Sequence, residues 1–232
     1  MIEELSPVVK GARVEKVFDR GAHAFILRLR TREGRFSLLF SVRPGLSRFH
    51  LLAEPPRAPR APSALALELR ELLRGAVLQD IDQPSQDRLV RFSFTLGREG
   101  EPRARCLILE MFGRAGRLII YEGDERVTAF VTGRGGVSRN QPYRFPAPPR
   151  RSEKLLFPIN PTQLIPEESR GEPLAFHHAL EKAMEEAEGK QDWQEHHGAL
   201  TRQVSGELKR RRRLQVKLDD DLREAERWQE WE

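Results

Sequence analysis

The most site-like stretch of the chain is Gln83 to Arg88, with the sequence QPSQDR, which lies between two apolar runs. An acidic side chain stands beside a basic one where a turn becomes a strand, and strand neighbours face opposite sides. Arg88 could donate two hydrogen bonds to a phosphate or a base edge, whereas Asp87 could only accept. An alternative stays open, in which Asp87 caps its own turn and Arg88 is a surface charge.

No catalytic or metal-binding set stands out elsewhere. The sequence lacks the G-x-x-x-x-G-K-[ST] phosphate loop and the G-x-S-x-G nucleophile turn. The histidine pairs His177-His178 and His196-His197 are adjacent on a predicted helix, so their side chains point about 100° apart and suit one metal ion poorly. We therefore expect no enzyme activity, no cofactor and no metal.

Composition narrows the class of protein. The chain has 232 residues, of which 38% are hydrophobic and 32% charged. No apolar run approaches the roughly 20 residues of a membrane span, and the N-terminus lacks the apolar core of a signal peptide. Cys106 is the single cysteine, which excludes an internal disulfide. These features predict a cytoplasmic protein without a membrane partner.

The charge is unevenly distributed. Residues 1–150 carry 26 Lys+Arg against 17 Asp+Glu, a net +9, whereas residues 151–232 carry 14 against 18, a net −4. The first part uses almost only arginine, whose planar fork suits phosphate recognition. A polyanion such as RNA is one interpretation, and an arginine-rich proteome with charges spread over solvent is the other.

The sequence predicts an internal duplication. A shift of 64 residues places Gly11-Ala12 on Gly75-Ala76, and a shift of 69 places Leu38 on Leu107. Each copy would be a helix followed by three strands. In the second copy Ser63 would cap a helix that Gly75 ends, and in the first copy Ser6 would cap a short helix. The predicted strands are Val14–Phe18, Phe25–Leu29, Phe36–Phe40, Arg48–Leu52, Val90–Leu96, Cys106–Phe112, Leu118–Tyr121 and Val127–Val131.

Three regions follow from this pattern: an α+β domain over 1–150, a linker over 151–173 and a helical region over 174–232. In the last region Val204, Leu208, Leu218, Leu222 and Ala225 fit heptad a/d positions, which indicates the first arm of a coiled coil. Its run Lys209–Arg213 is either a solvated stretch or an arm along a polyanion. The heptads still run at the end, so we expect the chain to be a fragment or to pair with another chain.

Four motifs in order carry a family resemblance. They are Leu73-Arg74-Gly75, Gln83 to Arg88, Glu110-Met111-Phe112-Gly113-Arg114, and Tyr143 to Pro146. Together they resemble the N-terminal domain of the NFACT family, over roughly residues 1–150. Gly116-Arg117 departs from the family's usual Ser-Asn. The 40 or so residues before the heptads are too few for the family's helix-hairpin-helix domain.

The resemblance implies fold and function. The implied fold is a β-sandwich with flanking helices, similar to the N-domain of formamidopyrimidine-DNA glycosylases. The implied partners are tRNA, the large ribosomal subunit with its rRNA, and a peptidyl-tRNA nascent-chain complex, in ribosome-associated quality control with alanine tailing. The implied tRNA-binding residues are Asp87, Arg88, Glu110, Met111 and Arg114, with Arg117, Arg134 and Arg139 as candidate phosphate contacts.

Two rival functions remain from the same resemblance. A glycosylase would need an N-terminal proline amine and a four-cysteine zinc finger, but Ile2 follows Met1 and Cys106 stands alone. An extracellular fibronectin-binding adhesin conflicts with the missing signal peptide and disulfides. We therefore favour an RNA-binding factor that is not an enzyme.

If the +9 of residues 1–150 serves RNA, binding should depend steeply on salt. With about 4–6 phosphate contacts, the slope of log K against log salt should lie around −3 to −5. Titration of the protein with tRNA at several salt concentrations measures this slope. A slope near zero would mean that the arginines are a compositional bias.

Overall fold

A computed structural model describes residues 1–21, 23–54, 61–84, 88–97, 102–112, 116–123, 127–132, 138–145 and 161–229. Nine strands and four helices form within these ranges. The strands are β1 Arg13–Asp19, β2 Ala24–Arg30, β3 Arg35–Ser41, β4 Arg48–Leu51, β5 Val77–Asp82, β6 Leu89–Leu96, β7 Arg103–Glu110, β8 Arg117–Glu122 and β9 Val127–Thr132. The helices are α1 Ile2–Val9, α2 Ala64–Leu73, α3 Pro161–Leu164 and α4 Ala175–Gln229.

The two early helices form for local reasons. The Ser63 hydroxyl accepts a hydrogen bond from Ala66 N at 3.1 Å, so the predicted cap of α2 is confirmed. The predicted cap of α1 at Ser6 is wrong, because that helix begins at Ile2 and contains Pro7 in its interior. Burial of Leu5 and Val9 on one face stabilises a longer helix than the proline alone would suggest.

All nine strands belong to one antiparallel sheet with the order β4-β3-β2-β1-β5-β6-β7-β8-β9. Every neighbouring pair of strands in the sheet is antiparallel, and each pair except β1–β5 is consecutive in the chain, as hairpin connections allow. β1 and β5 meet at the centre and are joined directly only by the Arg13–Val77 pair among the registered strand partners. The sheet therefore consists of two halves that join along this seam.

The two halves repeat the same pairing. β1 pairs with β2 through Arg13–Arg30 with a bulge after Val14, and β5 pairs with β6 through Val77–Thr95 with a bulge after Leu78. These positions are offset by 64 and 65 residues, as in the predicted duplication. The helices α1 and α2 end alike, at Gly11 with φ 82° and Gly75 with φ 83°, a conformation that favours glycine.

The main core lies between the two halves. The Phe92 ring of β6 packs edge to face against the Phe40 ring of β3 and the Phe49 ring of β4. The ring centroids are 4.9 Å and 5.3 Å apart, respectively. These strands are far apart in the sheet order, so the sheet folds over and its inner faces pack together. The predicted α+β class with an antiparallel sheet and a long C-terminal helix is confirmed.

The start of α4 covers the free edge of β4. The Nδ1 atom of His177, which is fully buried, accepts from Leu51 N at 3.1 Å, and Glu181 Oε2 accepts from Ala53 N at 2.8 Å. Because a backbone N–H only donates, the proton of His177 is on Nε2, which donates to Met1 O at 3.2 Å. These side chains satisfy edge groups that would otherwise be open to pairing.

The described residues divide into two units, residues 1–184 and residues 185–232. The second unit is helix α4 from residue 185 onward, and its predicted heptad residues Val204, Leu208, Leu218 and Leu222 are each more than half exposed. The boundaries 1–150, 151–173 and 174–232 stay a prediction. Among the described residues, no helix has the length and apolar character to cross a membrane.

The edge contact makes stability depend on pH. Burial lowers the pKa of His177 from 6.5 to about 4, and burial followed by the nearby Arg48 lowers the pKa of His50 to about 3. In the unfolded chain both histidines bind protons below about pH 6.5, whereas in the folded protein they stay neutral until the pH is much lower. The free energy of unfolding should fall as pH drops from 6.5 towards 4.

A His177→Gln variant should lose about 2 kcal/mol of this pH dependence between pH 7.5 and 4.5, because an amide still accepts from Leu51 N but does not titrate. Urea unfolding at the two pH values measures the change. His178→Gln is the matched control, since His178 is exposed on the same helix. Equal pH dependence in the parent and the His177 variant would contradict this role.

Candidate nucleic-acid interface

Arg88 stands at the entry to β6 with its backbone held in place. Its carbonyl oxygen accepts from Met111 N at 2.7 Å, which extends the β6–β7 pairing by one step, while its side chain is exposed. Leu89 and Val90, the next two residues, are both buried, because Leu89 faces an outer cluster and Val90 faces the main core. Apolar cover on both faces explains why hydrophobic alternation breaks at this point.

Glu110, at the end of β7, is a buried carboxylate that links Arg117 and Tyr143, and these three residues are here called the brace. Its Oε2 atom accepts from Arg117 Nε at 2.5 Å and its Oε1 atom accepts from Tyr143 OH at 2.7 Å. The carboxylate is 2% exposed and both oxygens already have a donor. A buried charge is tolerated when it is paired and hydrogen-bonded in this way. In this arrangement Glu110 positions Arg117 and Tyr143.

The segment 138–145 covers the outer face of the second half. Tyr143 stacks on Tyr121 of β8 with ring centroids 5.7 Å apart, and Val127 exchanges backbone hydrogen bonds with Asn140 and Gln141. Burial, followed by the hydrogen bond to Glu110, raises the pKa of Tyr143 well above its ordinary value. The phenol is therefore a neutral donor to the carboxylate across the physiological range.

A cavity of about 340 Å³ opens beside this brace. Its lining combines two arginines with hydroxyl and amide groups, which suits an anion better than an apolar ligand. The lining residues are Glu110, Arg117, Val127, Ser138, Gln141, Pro142, Tyr143 and Arg144.

Gly116 fixes the approach of the two halves at this site. A Cβ atom there would overlap Ser47 Oγ and would lie 2.9 Å from Ser47 Cβ and 3.1 Å from Val42 Cα. Such distances are shorter than real Cβ contacts, so only glycine fits without a shift of the β3–β4 loop. The neighbouring Arg117 is thereby seated against Glu110.

Of the predicted site residues, Glu110 and Arg117 form an ion pair, and Arg88 and Met111 pair through their backbones. Met111 packs against the main core, whereas Glu110 lies on the outer face with Tyr143. Arg139 instead pairs with both oxygens of Glu68 on α2, at 2.7 and 2.8 Å. Asp87, Arg114 and Arg134 lie outside the described residues. Direct RNA contact by any of these side chains stays a prediction.

Two features were not found by sequence reasoning. Tyr143 was noted only as part of the closing motif, although an isolated aromatic in a Gly/Pro-rich basic stretch is a signal of docking.

Arg91 of β6 holds Asp82 of β5 through Nε at 2.8 Å and Nη2 at 2.9 Å, with its guanidinium 6.0 Å from the Phe145 ring. This fork follows from strand register, which the sequence does not display.

No nucleophile–base pair is part of this arrangement, and no group of three or more His, Cys, Asp or Glu within the described ranges could hold a metal ion. The arrangement offers an exposed Arg88, a braced Arg117 and a polar cavity. Such a surface can bind anionic groups through hydrogen bonds and charge.

A Tyr143→Phe variant should be destabilised by about 1–3 kcal/mol, because it leaves Glu110 Oε1 buried without its donor. Urea unfolding of Tyr143→Phe, Glu110→Ala and the double variant completes a cycle that isolates the pair, because alanine removes the acceptor. A coupling energy of at least about 1 kcal/mol is expected. Additive effects of the two changes would show that the hydrogen bond contributes little.

Curated relatives match more than half of the chain. The chain is 29% identical over 128 residues to "Rqc2 homolog RqcH" of Bacillus subtilis, covering 55% of this chain and 22% of that protein. It is 26% identical over 173 residues to the protein of the same name from Streptococcus pneumoniae, covering 71% and 31%. The chain therefore spans less than a third of the length of these relatives.

Solved structures share the fold. The N-terminal part of a fibronectin/fibrinogen-binding protein from Streptococcus suis matches with a TM-score of 0.57 at 22% identity, covering 74% of this chain and 66% of that one. The N-terminal domain of fibronectin-binding protein PavA from Streptococcus pneumoniae matches with a TM-score of 0.56 at 23% identity, covering 82% of both chains.

The family assignment depends on a broader match. Residues 1–144 match the family described as NFACT N-terminal and middle domains. That range contains both halves of the sheet, the glycine seam and the brace around Glu110. This protein belongs to the NFACT family.

Proposed function

We propose that the protein is an RNA-binding factor of ribosome-associated quality control. In this role it binds tRNA on a large ribosomal subunit obstructed by peptidyl-tRNA, and it supports template-free alanine tailing of the stalled chain. The observation that carries the proposal is the match to relatives named "Rqc2 homolog RqcH", together with the family match over residues 1–144, which include the brace. The role is that of a cytoplasmic binding factor rather than an enzyme.

The geometry supports this choice of ligand. Arg88 presents an exposed guanidinium on a backbone fixed by Met111, and Arg117 is oriented by a buried carboxylate. Rigid placement lowers the entropic cost of a bidentate contact with a phosphate or a base edge. Likeness of the fold to the glycosylase N-domain, and pairing of α4 in a coiled coil, are further parts of the proposal.

Fibronectin or fibrinogen binding belongs to the names of structural relatives that are 22–23% identical, a level that carries only the fold. Fibronectin therefore serves as the control ligand in the experiments below. Binding to fibronectin with no association to ribosomal particles would favour the adhesin function over the proposed one.

Arg88→Lys distinguishes a fork from a point charge. If Arg88 donates bidentately, lysine loses one hydrogen bond, and tRNA-dependent association with 50S particles carrying peptidyl-tRNA should weaken by about 1–3 kcal/mol. Cosedimentation measures the association. The Asp87→Ala/Arg88→Ala variant should lose it while its free energy of unfolding changes by less than about 1 kcal/mol.

Arg103→Ala is the matched control, because Arg103 is another exposed arginine at the opposite end of the β6–β7 pair. It should associate like the parent. Association of the double variant at the parental level, or a collapse of its stability, would show that the Asp-Arg pair is structural.

A further inference from the structure

A second basic surface lies on the outer face of the first half of the sheet, and the function proposed above does not use it. A groove of about 570 Å³ runs over β1, β2 and the end of α2. Its described lining holds five cationic side chains and one carboxylate. The lining residues are Arg13, Val14, Glu15, Lys16, Arg28, Arg35, Arg74 and Gly75.

Three arginines face each other across neighbouring strands here, and two of them line the groove. Arg13 of β1 is opposite Arg30 of β2, and Arg30 is opposite Arg35 of β3. Like charges directly opposite in an antiparallel sheet are destabilising. Glu15 offsets part of the repulsion, with Arg30 at 3.5 Å and Arg35 at 3.0 Å, yet both arginine side chains remain 64% exposed.

The duplication supplies an internal comparison. The positions equivalent to Arg13, Arg30 and Arg35 in the second half are Val77, Thr95 and Ala104, which occupy the same pairing. Lys16 corresponds to Asp80 and Arg28 to Ser93 by the same registers. The scaffold therefore does not need cations at these positions, and a general arginine bias does not explain why all five are cationic in the first half while none of their equivalents is cationic in the second.

The cations are also held in position. The Arg28 guanidinium lies 5.1 Å from the centre of the Phe18 ring, and Arg13 Nη1 donates to Gly75 O at 3.3 Å. A fixed row of guanidinium groups matches repeated phosphates, because each can donate two parallel hydrogen bonds.

We infer that this groove, here named the first-half groove, binds the sugar-phosphate backbone of RNA as a contact separate from the Arg88 site. The choice of RNA among polyanions rests on the proposed function. An extended phosphate backbone carries many negative charges in a row. When it is bound, these charges offset the repulsion among the arginines, which the free protein has to tolerate. Backbone contacts of this kind add affinity and orientation without reading sequence.

The test exchanges the groove residues for those of the second half. The variant Arg28→Ser/Arg30→Thr/Arg35→Ala should be at least as stable to urea as the parent, since it removes opposed like charges. Its affinity for a mixed-sequence single-stranded RNA of about 20 nucleotides should fall on the order of tenfold near 100 mM salt, and the salt slope should shrink by about 2.

The control variant Arg103→Ala/Arg170→Ala/Lys182→Ala removes the same net charge at exposed positions that do not line the groove. It should bind the RNA within about twofold of the parent if placement rather than net charge matters. Equal losses in the two variants, or an unchanged slope in the exchange variant, would overturn the inference. Tighter binding of polyglutamate than of RNA, lost in the exchange variant, would overturn it in favour of an acidic protein.

The two proposals fail separately. Arg88→Ala leaves the groove intact. If this variant associates with 50S particles as well as the parent does, the result counts against the proposed function alone. An unchanged response of RNA binding to the groove exchange, with 50S association still dependent on Arg88, would count against the groove alone.

Discussion

The fold depends on four backbone hydrogen bonds at the seam between the halves. Gly11 N donates to Leu78 O at 2.8 Å and Gly75 N donates to Val14 O at 2.8 Å. Val14 N donates to Ala76 O at 2.8 Å, and Leu78 N donates to Ala12 O at 2.9 Å. Each bond has a partner related by the same 64-residue offset, so the seam is a local two-fold. It requires positive φ at two glycines, and it fuses two small sheets into one that folds over a shared core.

A shared scaffold then leaves the outer faces free to diverge. In the second half the segment 138–145 covers the face, and burial of Tyr143 against Tyr121 lets a carboxylate sit inside at Glu110. In the first half the corresponding strands carry exposed arginines around Glu15. Both halves bury apolar side chains in the main core, so they differ in the chemistry of their outer surfaces. Specialisation of one copy is the ordinary route by which a duplicated unit gains a second surface.

Much of this fold could be predicted from the sequence, because strand alternation and glycine stops are local signals. The duplication followed from Gly11-Ala12 and Gly75-Ala76, whose spacing reflects the seam itself. The start of α1 was missed, since a proline at position 7 looks like a helix beginning while long-range burial of Leu5 decides where the helix starts. For the candidate site, the pairing of Glu110 with Arg117 follows from the strand register, and contact of these residues or of Arg88 with RNA stays a prediction. Their chemistry was not predictable, because burial of Glu110 depends on Tyr143, which lies 33 residues away in the chain.

The departure at Gly116-Arg117 is explained by packing between the two halves. Where the family pattern has serine, this chain has Gly116, and the space that a side chain would occupy is filled by the Ser47 hydroxyl from the other half. The pattern's asparagine is replaced by Arg117, whose charge would be costly at 26% exposure without a partner. Buried Glu110 supplies that partner at 2.5 Å, and Tyr143 satisfies the remaining oxygen. A change at two adjacent residues therefore involves groups from both halves and from the segment that covers the second half. The brace acts as one unit, and in the proposed function it would act by placing Arg117 rather than through a free carboxylate at Glu110.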